Sequence, residues 1–192
     1  MDFNRILAGM IRAARFDKEF YEEVEHDTSY AQDAVAVVIL AVLAGGIGSF
    51  LGGLFGGIGL LGSIGSLIWG IVVAVLSYLL WVFVAQYVGT RFFKGTGDFG
   101  EVQRAFGFAY APQVLNIFSF IPCVGGIISL VAWLWSIGTG FFAIRQSLDQ
   151  DDTNAILTMV VSFLVILVAT IALGIVGGLL GFAGSAVSGL FR

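Results

Sequence analysis

The chain alternates long apolar tracts with short charged segments. Residues 34–90, 105–144 and 153–191 contain no Asp, Glu, Lys, Arg or His. A helix that crosses a bilayer takes about 20 apolar residues, so each tract is long enough to cross at least once. The first tract divides around the glycine-rich run Gly56-Gly57-Ile58-Gly59-Leu60-Leu61-Gly62-Ser63-Ile64-Gly65. The second breaks at Ile121-Pro122-Cys123-Val124-Gly125-Gly126, because proline removes a helical hydrogen bond and paired glycines favour a tight connection. The pattern predicts an all-α polytopic membrane protein. A polar N-terminal segment, residues 1–33, precedes a transmembrane domain, residues 34–192, with five spans near 34–54, 67–88, 104–121, 125–144 and 154–180. Residues 181–192 are too short to cross alone; they lie on the membrane or form part of a sixth segment.

Composition strengthens the membrane reading. The 192 residues are 58% hydrophobic and 11% charged, whereas a soluble domain carries about 25% charged residues. Too few polar side chains exist to coat a water-facing globule. The net charge of −4 without a Lys/Arg cluster excludes a nucleic-acid partner, which needs a basic footprint. Cys123 is the sole cysteine and has no intramolecular partner. Charge is mixed throughout Asp2–Asp33, unlike a cleaved signal peptide.

Charge also orients the spans. Basic residues accumulate in short cytoplasmic loops. Arg5, Arg12, Arg15 and Lys18 precede span one, Arg91, Lys94 and Arg104 follow span two, and Arg145 follows span four. Only Arg192 falls on the other side of a five-span arrangement, so the N-terminus is expected in the cytoplasm. All acidic residues share that face, leaving the opposite face nearly bare.

Residues 2–15 fit an amphipathic helix, with Phe3, Ile6, Leu7, Met10 and Ala14 on one arc and Arg5, Arg12 and Arg15 on another. Such a helix lies in the headgroup layer with its arginines near anionic lipid, or packs on the ends of the bundle. Glycines recur four apart at Gly48, Gly52 and Gly56, at Gly53 and Gly57, at Gly174 and Gly178, and at Gly177 and Gly181. This spacing lets helices approach closely in lipid, within one chain or between two copies. A phosphate-cradling loop is excluded, because no Lys-Ser/Thr follows these glycines.

The most unusual chemistry lies in the third span, where Tyr110, Pro112, Gln113 and Asn116 form a polar patch. Pro112 interrupts the helical hydrogen bonding, while Gln113 and Asn116 share a helix face. Uncharged amides at membrane depth serve as packing bonds to a neighbouring helix, or they line a small cavity for lipid or substrate. The acidic run Glu22-Glu23-Val24-Glu25-His26-Asp27 holds the only histidine and reads as a solvated face. No catalytic residues, metal ligands or cofactor site emerge. The spans contain no charged residue of the kind ion-coupled transporters use.

The order of features resembles the prokaryotic branch of the Yip1-domain family from about Phe20 to Val165. The similarity is carried by the acidic segment Tyr21–Ala34, the loop Val88-Gly89-Thr90-Arg91-Phe92-Phe93-Lys94-Gly95, and Ala105-Phe106-Gly107-Phe108-Ala109-Tyr110-Ala111-Pro112-Gln113. Ile121-Pro122, Gly125-Gly126, Trp135 and Ala143-Ile144-Arg145-Gln146-Ser147-Leu148-Asp149 complete it. The resemblance implies five spans and a cytoplasmic N-terminus. Eukaryotic relatives interact with Rab GTPases and shape early secretory membranes. This chain lacks their longer cytoplasmic domain and Asp-Leu-Tyr-Gly-Pro element, so Rab GTPase binding is not supported. The expectation is a non-enzymatic scaffold or accessory subunit of a prokaryotic cytoplasmic (inner) membrane, ordering lipid or associating with other membrane proteins or with itself. The alternative is a small-molecule or lipid permease built around the third-span patch.

Overall fold

The structure is a computed structural model that describes the backbone of residues 2–190 and the side-chain surroundings of residues 2–172. Seven α-helices form, with no strand among the described residues. Helix α1, Phe3–Ala14, starts where the Asp2 carboxylate accepts a bond from the Asn4 N–H. Helix α2, Lys18–His26, starts where Asp17 does the same for Phe20. These caps satisfy backbone donors that a helix start leaves without an intrahelical partner. A 3₁₀ turn, Thr28–Tyr30, leads into α3, Ala31–Phe55. Then come α4, Gly59–Phe92, and α5, Phe99–Ala109, followed by a 3₁₀ helix at Ala111–Phe118. Helices α6, Gly125–Ser147, and α7, Asp152–Leu190, complete the chain.

Among the described residues, four segments have the length and hydropathy of a membrane span: Thr28–Phe55, Gly59–Phe92, Gly125–Ser147 and Asp152–Ala172. The all-α membrane architecture therefore holds, with two corrections to its outline. The glycine-rich connection between spans one and two contracts to Gly56–Ile58, and the stretch beginning at Gly59 is helical. Left-handed backbone at Gly57 and Gly59 (φ 81° and 75°) makes the reversal. Backbone removed from water must satisfy its own hydrogen bonds, which favours helix even through Gly62 and Gly65.

The second correction concerns the third expected span, 104–121. It is not one helix: α5 ends at Ala109, and a 3₁₀ helix of eight residues follows. The broken segment nevertheless runs the length of α3. Gly107 lies against Ala34, Gly45 against Asn116, and Gly52 against Phe120, and the Phe55 and Phe120 rings sit 6.0 Å apart. Ala34 to Gly52 is about 27 Å of α-helix, and Gly107 to Phe120 at a 3₁₀ rise covers about 26 Å. Four unbroken helices and one interrupted segment thus lie side by side, close to the roughly 30 Å of a hydrocarbon core.

The densest core sits toward the N-terminal end. Phe20, Tyr21, Val24, Val37, Val82, Val102, Phe108, Ile144 and Leu148 are all fully buried there. Helices α1 and α2 fold over this end. Phe20 meets the Phe108 ring edge-on at 5.0 Å, and the Trp135 indole N–H donates to the Ala14 carbonyl at 2.8 Å. Arg104 reaches back from α5 to the carbonyls of Val24 and Glu25. The outer faces of α4 and α7 are uncovered and apolar.

Candidate functional site

The interruption in the third segment has a local cause and a tertiary one. Pro112 supplies no N–H, so the α-helical ladder stops short of it. The Thr139 hydroxyl, from α6, donates to the Ala109 carbonyl at 2.8 Å, and the Gln113 N–H donates to the Tyr110 carbonyl at 2.9 Å. Irregular backbone at membrane depth persists only where protein or an internal cavity surrounds it. Here α3 lies on one side and α6 on the other.

Beside the break is a hollow of about 300 Å³, bounded by α3, α4, α6 and the 3₁₀ helix. Tyr110, Gln113 and Asn116 line it, joined by Ser49, Ser119 and Ser129. Pro112 is buried and shapes the turn without lining the hollow. The amides form a relay: Asn116 Nδ2 donates to Gln113 Oε1 at 2.6 Å, and Gln113 Nε2 donates to Ser136 Oγ at 2.8 Å. Gln113 thus ties the 3₁₀ helix to α6, Asn116 bonds Gln113 within the 3₁₀ helix, and both residues line the hollow.

One glycine ridge coincides with this patch. A Cβ at Gly48 would collide with the Asn116 carbonyl oxygen, so this glycine lets the 3₁₀ backbone press directly on α3. Gly52 has only ordinary contact with Phe120, at 3.7 Å. Gly53 abuts Ser63 and Ile58, while Gly56 and Gly57 form the α3–α4 reversal. The tight position is thus Gly48, and the 48–52–56 ridge is not a uniform contact surface. Gly174, Gly177, Gly178 and Gly181 lie outside the residues whose surroundings are described.

Toward the N-terminal end the helices that bound the hollow are closely packed. Continuing that way from Ala41 on α3 brings the buried Val38 and Val37, and from Ala74 on α4 the buried Tyr78 and Val82. Tyr78 meets Tyr110 edge-on at 5.2 Å, and its hydroxyl donates to the Gln103 carbonyl at 2.8 Å. Gly45 and Gly70 leave space in the wall; a Cβ at Gly70 would meet nothing within 4 Å.

The arginines expected at the membrane surface divide. Arg5 pairs with the buried Asp33 and donates to the Ser29 carbonyl at 2.8 Å. Arg12 pairs with Asp17 at 2.7 Å and Glu23 at 2.9 Å. The Arg12 contact holds the Asp17 carboxyl below its usual range. Both guanidiniums form ion pairs within the chain and remain partly exposed. Arg15 is exposed and makes no ion pair among the described residues. Phe3, Leu7 and Ile11 form an outward apolar stripe on α1, while Ile6, Gly9 and Ala13 face the bundle.

A second hollow, about 420 Å³, lies at the N-terminal end between α2 and the end of α6. Glu22, Glu25, His26, Arg145, Asp149 and Gln150 line it. His26 is largely exposed, consistent with a solvated face, but Glu25 is only 5% exposed. Its Oε1 lies 3.1 Å from His26 Nδ1, whereas its Oε2 is buried without a hydrogen-bond partner. Burial, reinforced by the Asp149 charge, raises the Glu25 carboxyl to about 7. Sequence reasoning passes over this residue, although its spacing from Phe20, Tyr21 and Val24 places it on the buried face of α2.

Among known families, the Yip1 domain model matches residues 13–185. No curated protein sequence and no solved structure matches the chain.

Proposed function

This chain belongs to the Yip1-domain family, and we propose that it is a non-enzymatic membrane protein that orders lipid, seating an uncharged polar part of one lipid in the hollow beside Tyr110, Gln113 and Asn116. The single observation that carries this reading is the hollow itself: hydroxyls and amides, without a charged group, around about 300 Å³ at membrane depth. Neutral donors and acceptors in an apolar wall suit an ester or glycerol region better than an ion, which needs charge or many oxygens to replace its water. The buried floor of Val37, Val38, Tyr78 and Val82 speaks for a seat over a through-path, and so for lipid holding over a permease.

We further propose that the N-terminus lies in the cytoplasm of a prokaryotic inner membrane; the basic residues of the N-terminal segment and alternate loops support that orientation. The uncovered faces of α4 and α7 are then lipid-facing or partner-facing, which keeps a scaffold role open to the same experiment.

Native mass spectrometry of the protein released from mild detergent tests the reading. The expected result is one retained lipid per chain, lost in Gly70→Leu, where the new side chain fills the hollow without striking the backbone. Retention of lipid by Gly70→Leu at the wild-type level overturns it. Stoichiometric co-purification of a second protein, with no lipid retained, favours the scaffold role instead.

A further inference from the structure

Helix α1 carries three kinds of surface, and the chain itself uses two of them. At about 100° per residue, Ile6, Gly9 and Ala13 share one side, which is buried against the bundle. Arg5 and Arg12 share a second side, where they pair with Asp33 at the start of α3 and with Asp17 and Glu23 at α2. Phe3, Leu7 and Ile11 share the third, which is exposed. That flank lies about 150° around the helix from the arginines. It therefore points away from the charged groups of α2 and of the turn into α3.

The far end of α1 is fixed on α6. The Trp135 indole N–H donates to the Ala14 carbonyl. Phe16, in left-handed backbone (φ 61°), lays its ring against Gly138 and 5.6 Å from the Phe142 ring. On the Gly125 side of this corner, Ile127, Leu130, Trp133, Leu134 and Ile137 are exposed. On the Ser147 side, Thr139, Gly140, Ala143 and Ile144 are buried. The corner between α1 and α2 thus sits where the bare apolar surface of a membrane helix gives way to the covered N-terminal layer. Trp133 and Trp135 lie at that border, and indoles gather at the level of lipid headgroups. Arg15, in the same corner, is exposed and makes no ion pair among the described residues.

We infer that α1 is seated in the headgroup–acyl boundary of the surrounding bilayer, with Phe3, Leu7 and Ile11 among acyl chains and Arg15 on a lipid phosphate. Three observations name lipid as the occupant. The flank turns away from the charged layer, it meets the bare apolar surface of α6 at the corner, and an unpaired cation stands there. A helix in this boundary buries its apolar side and keeps its basic side chains at the headgroups. A guanidinium matches the paired oxygens of a phosphate, and every phospholipid supplies one. The bundle then holds α1 by Ile6, Gly9 and Ala13 while lipid holds it by the outer flank, which ties the N-terminal layer to the membrane surface. This seat is separate from the hollow beside the 3₁₀ helix, whose wall contains no residue of α1.

The test is spin labelling of the full chain in nanodiscs of mixed phosphatidylcholine and phosphatidylglycerol, in a Cys123→Ser background. Single labels are carried by Leu7→Cys and Ile11→Cys on the apolar flank, and by Ala8→Cys, which is exposed outside it. None of these positions is in the core. The Leu7→Cys and Ile11→Cys labels are expected to collide several-fold more with oxygen than with a water-soluble nickel chelate, and the Ala8→Cys label the reverse. Adding Arg15→Glu is expected to move the Ile11→Cys label toward water at unchanged helix content. Nickel accessibility at Leu7→Cys and Ile11→Cys equal to that at Ala8→Cys overturns the seat. Exclusion of both reagents from those two labels, which a protein cover would produce, overturns it as well; spin–spin broadening then identifies a second copy of the chain. An Ile11→Cys label whose depth Arg15→Glu leaves unchanged overturns the phosphate contact.

Discussion

The two hollows of this molecule solve opposite problems with similar volumes. The one beside the 3₁₀ helix is neutral, and its amides satisfy each other and Ser136. The one under α2 is acidic and leaves Glu25 Oε2 unpartnered. The difference follows from the surroundings. At membrane depth an unpaired charge has no water to fall back on, so polar groups must arrive as closed sets. At the polar end a carboxyl can take up a proton, and an incomplete set is tolerated at the cost of a raised pKa.

The strongest way to break this comparison is to remove the wall that shapes the neutral hollow. Gly48→Leu forces a side chain into the Asn116 backbone and is expected to cost about 3 kcal/mol or more. Thermal unfolding in detergent checks it; an unchanged midpoint would mean that α3 and the 3₁₀ helix are not in tight contact.

The acidic hollow is expected to respond to pH. The Glu25 carboxyl rises to about 7 from 4.5, so the folded state binds this proton more tightly than the unfolded state. Its contribution to stability is greatest below pH 4.5, falls as pH rises toward 7, and is level above that. The full loss is at most about 3 kcal/mol. Glu25→Gln should flatten the pH 5–8 portion of the stability profile, read as the denaturation midpoint. An equal pH slope in the variant would assign the dependence to other groups.

Smaller effects separate packing from ligand holding in the neutral hollow. Gln113→Leu or Asn116→Leu should each lower stability by about 1 kcal/mol, the scale of an interhelical hydrogen bond in a membrane. Gly70→Leu should cost no stability, since the added side chain enters open space and replaces glycine with a better helix former. Equal losses in all three variants would show that the hollow is a packing feature alone.

How much of this is legible in the sequence depends on the range of the interaction. The charge-free tracts announce the membrane helices, and Pro112 announces a break. That the break continues as a 3₁₀ helix to Phe118 depends on Gly48 and Thr139, which are distant in sequence and act through tertiary contact. The run Gly59–Gly65 suggests a loop because glycine usually signals one, yet an apolar setting turns it into helix. Arg5 and Arg12 suggest lipid contact from their shared arc. Their partners Asp33 and Glu23 become visible only once α1 folds back on α2 and α3. Glu25 is readable from the periodicity of Phe20, Tyr21 and Val24, but the surrounding acidic run masks it.

The neutral hollow exists at membrane depth only if residues 99–121 cross the bilayer despite their break. Cys123, the native and exposed cysteine, follows that segment, and Arg91 precedes it at the exposed end of α4. Labelling with a membrane-impermeant maleimide compares the native chain with an Arg91→Cys, Cys123→Ser variant in intact cells and in inverted vesicles. The native chain is expected to react at Cys123 only in intact cells, and the double variant only in inverted vesicles. Reaction of both proteins from the same side would contradict the crossing and, with it, the membrane placement of the hollow.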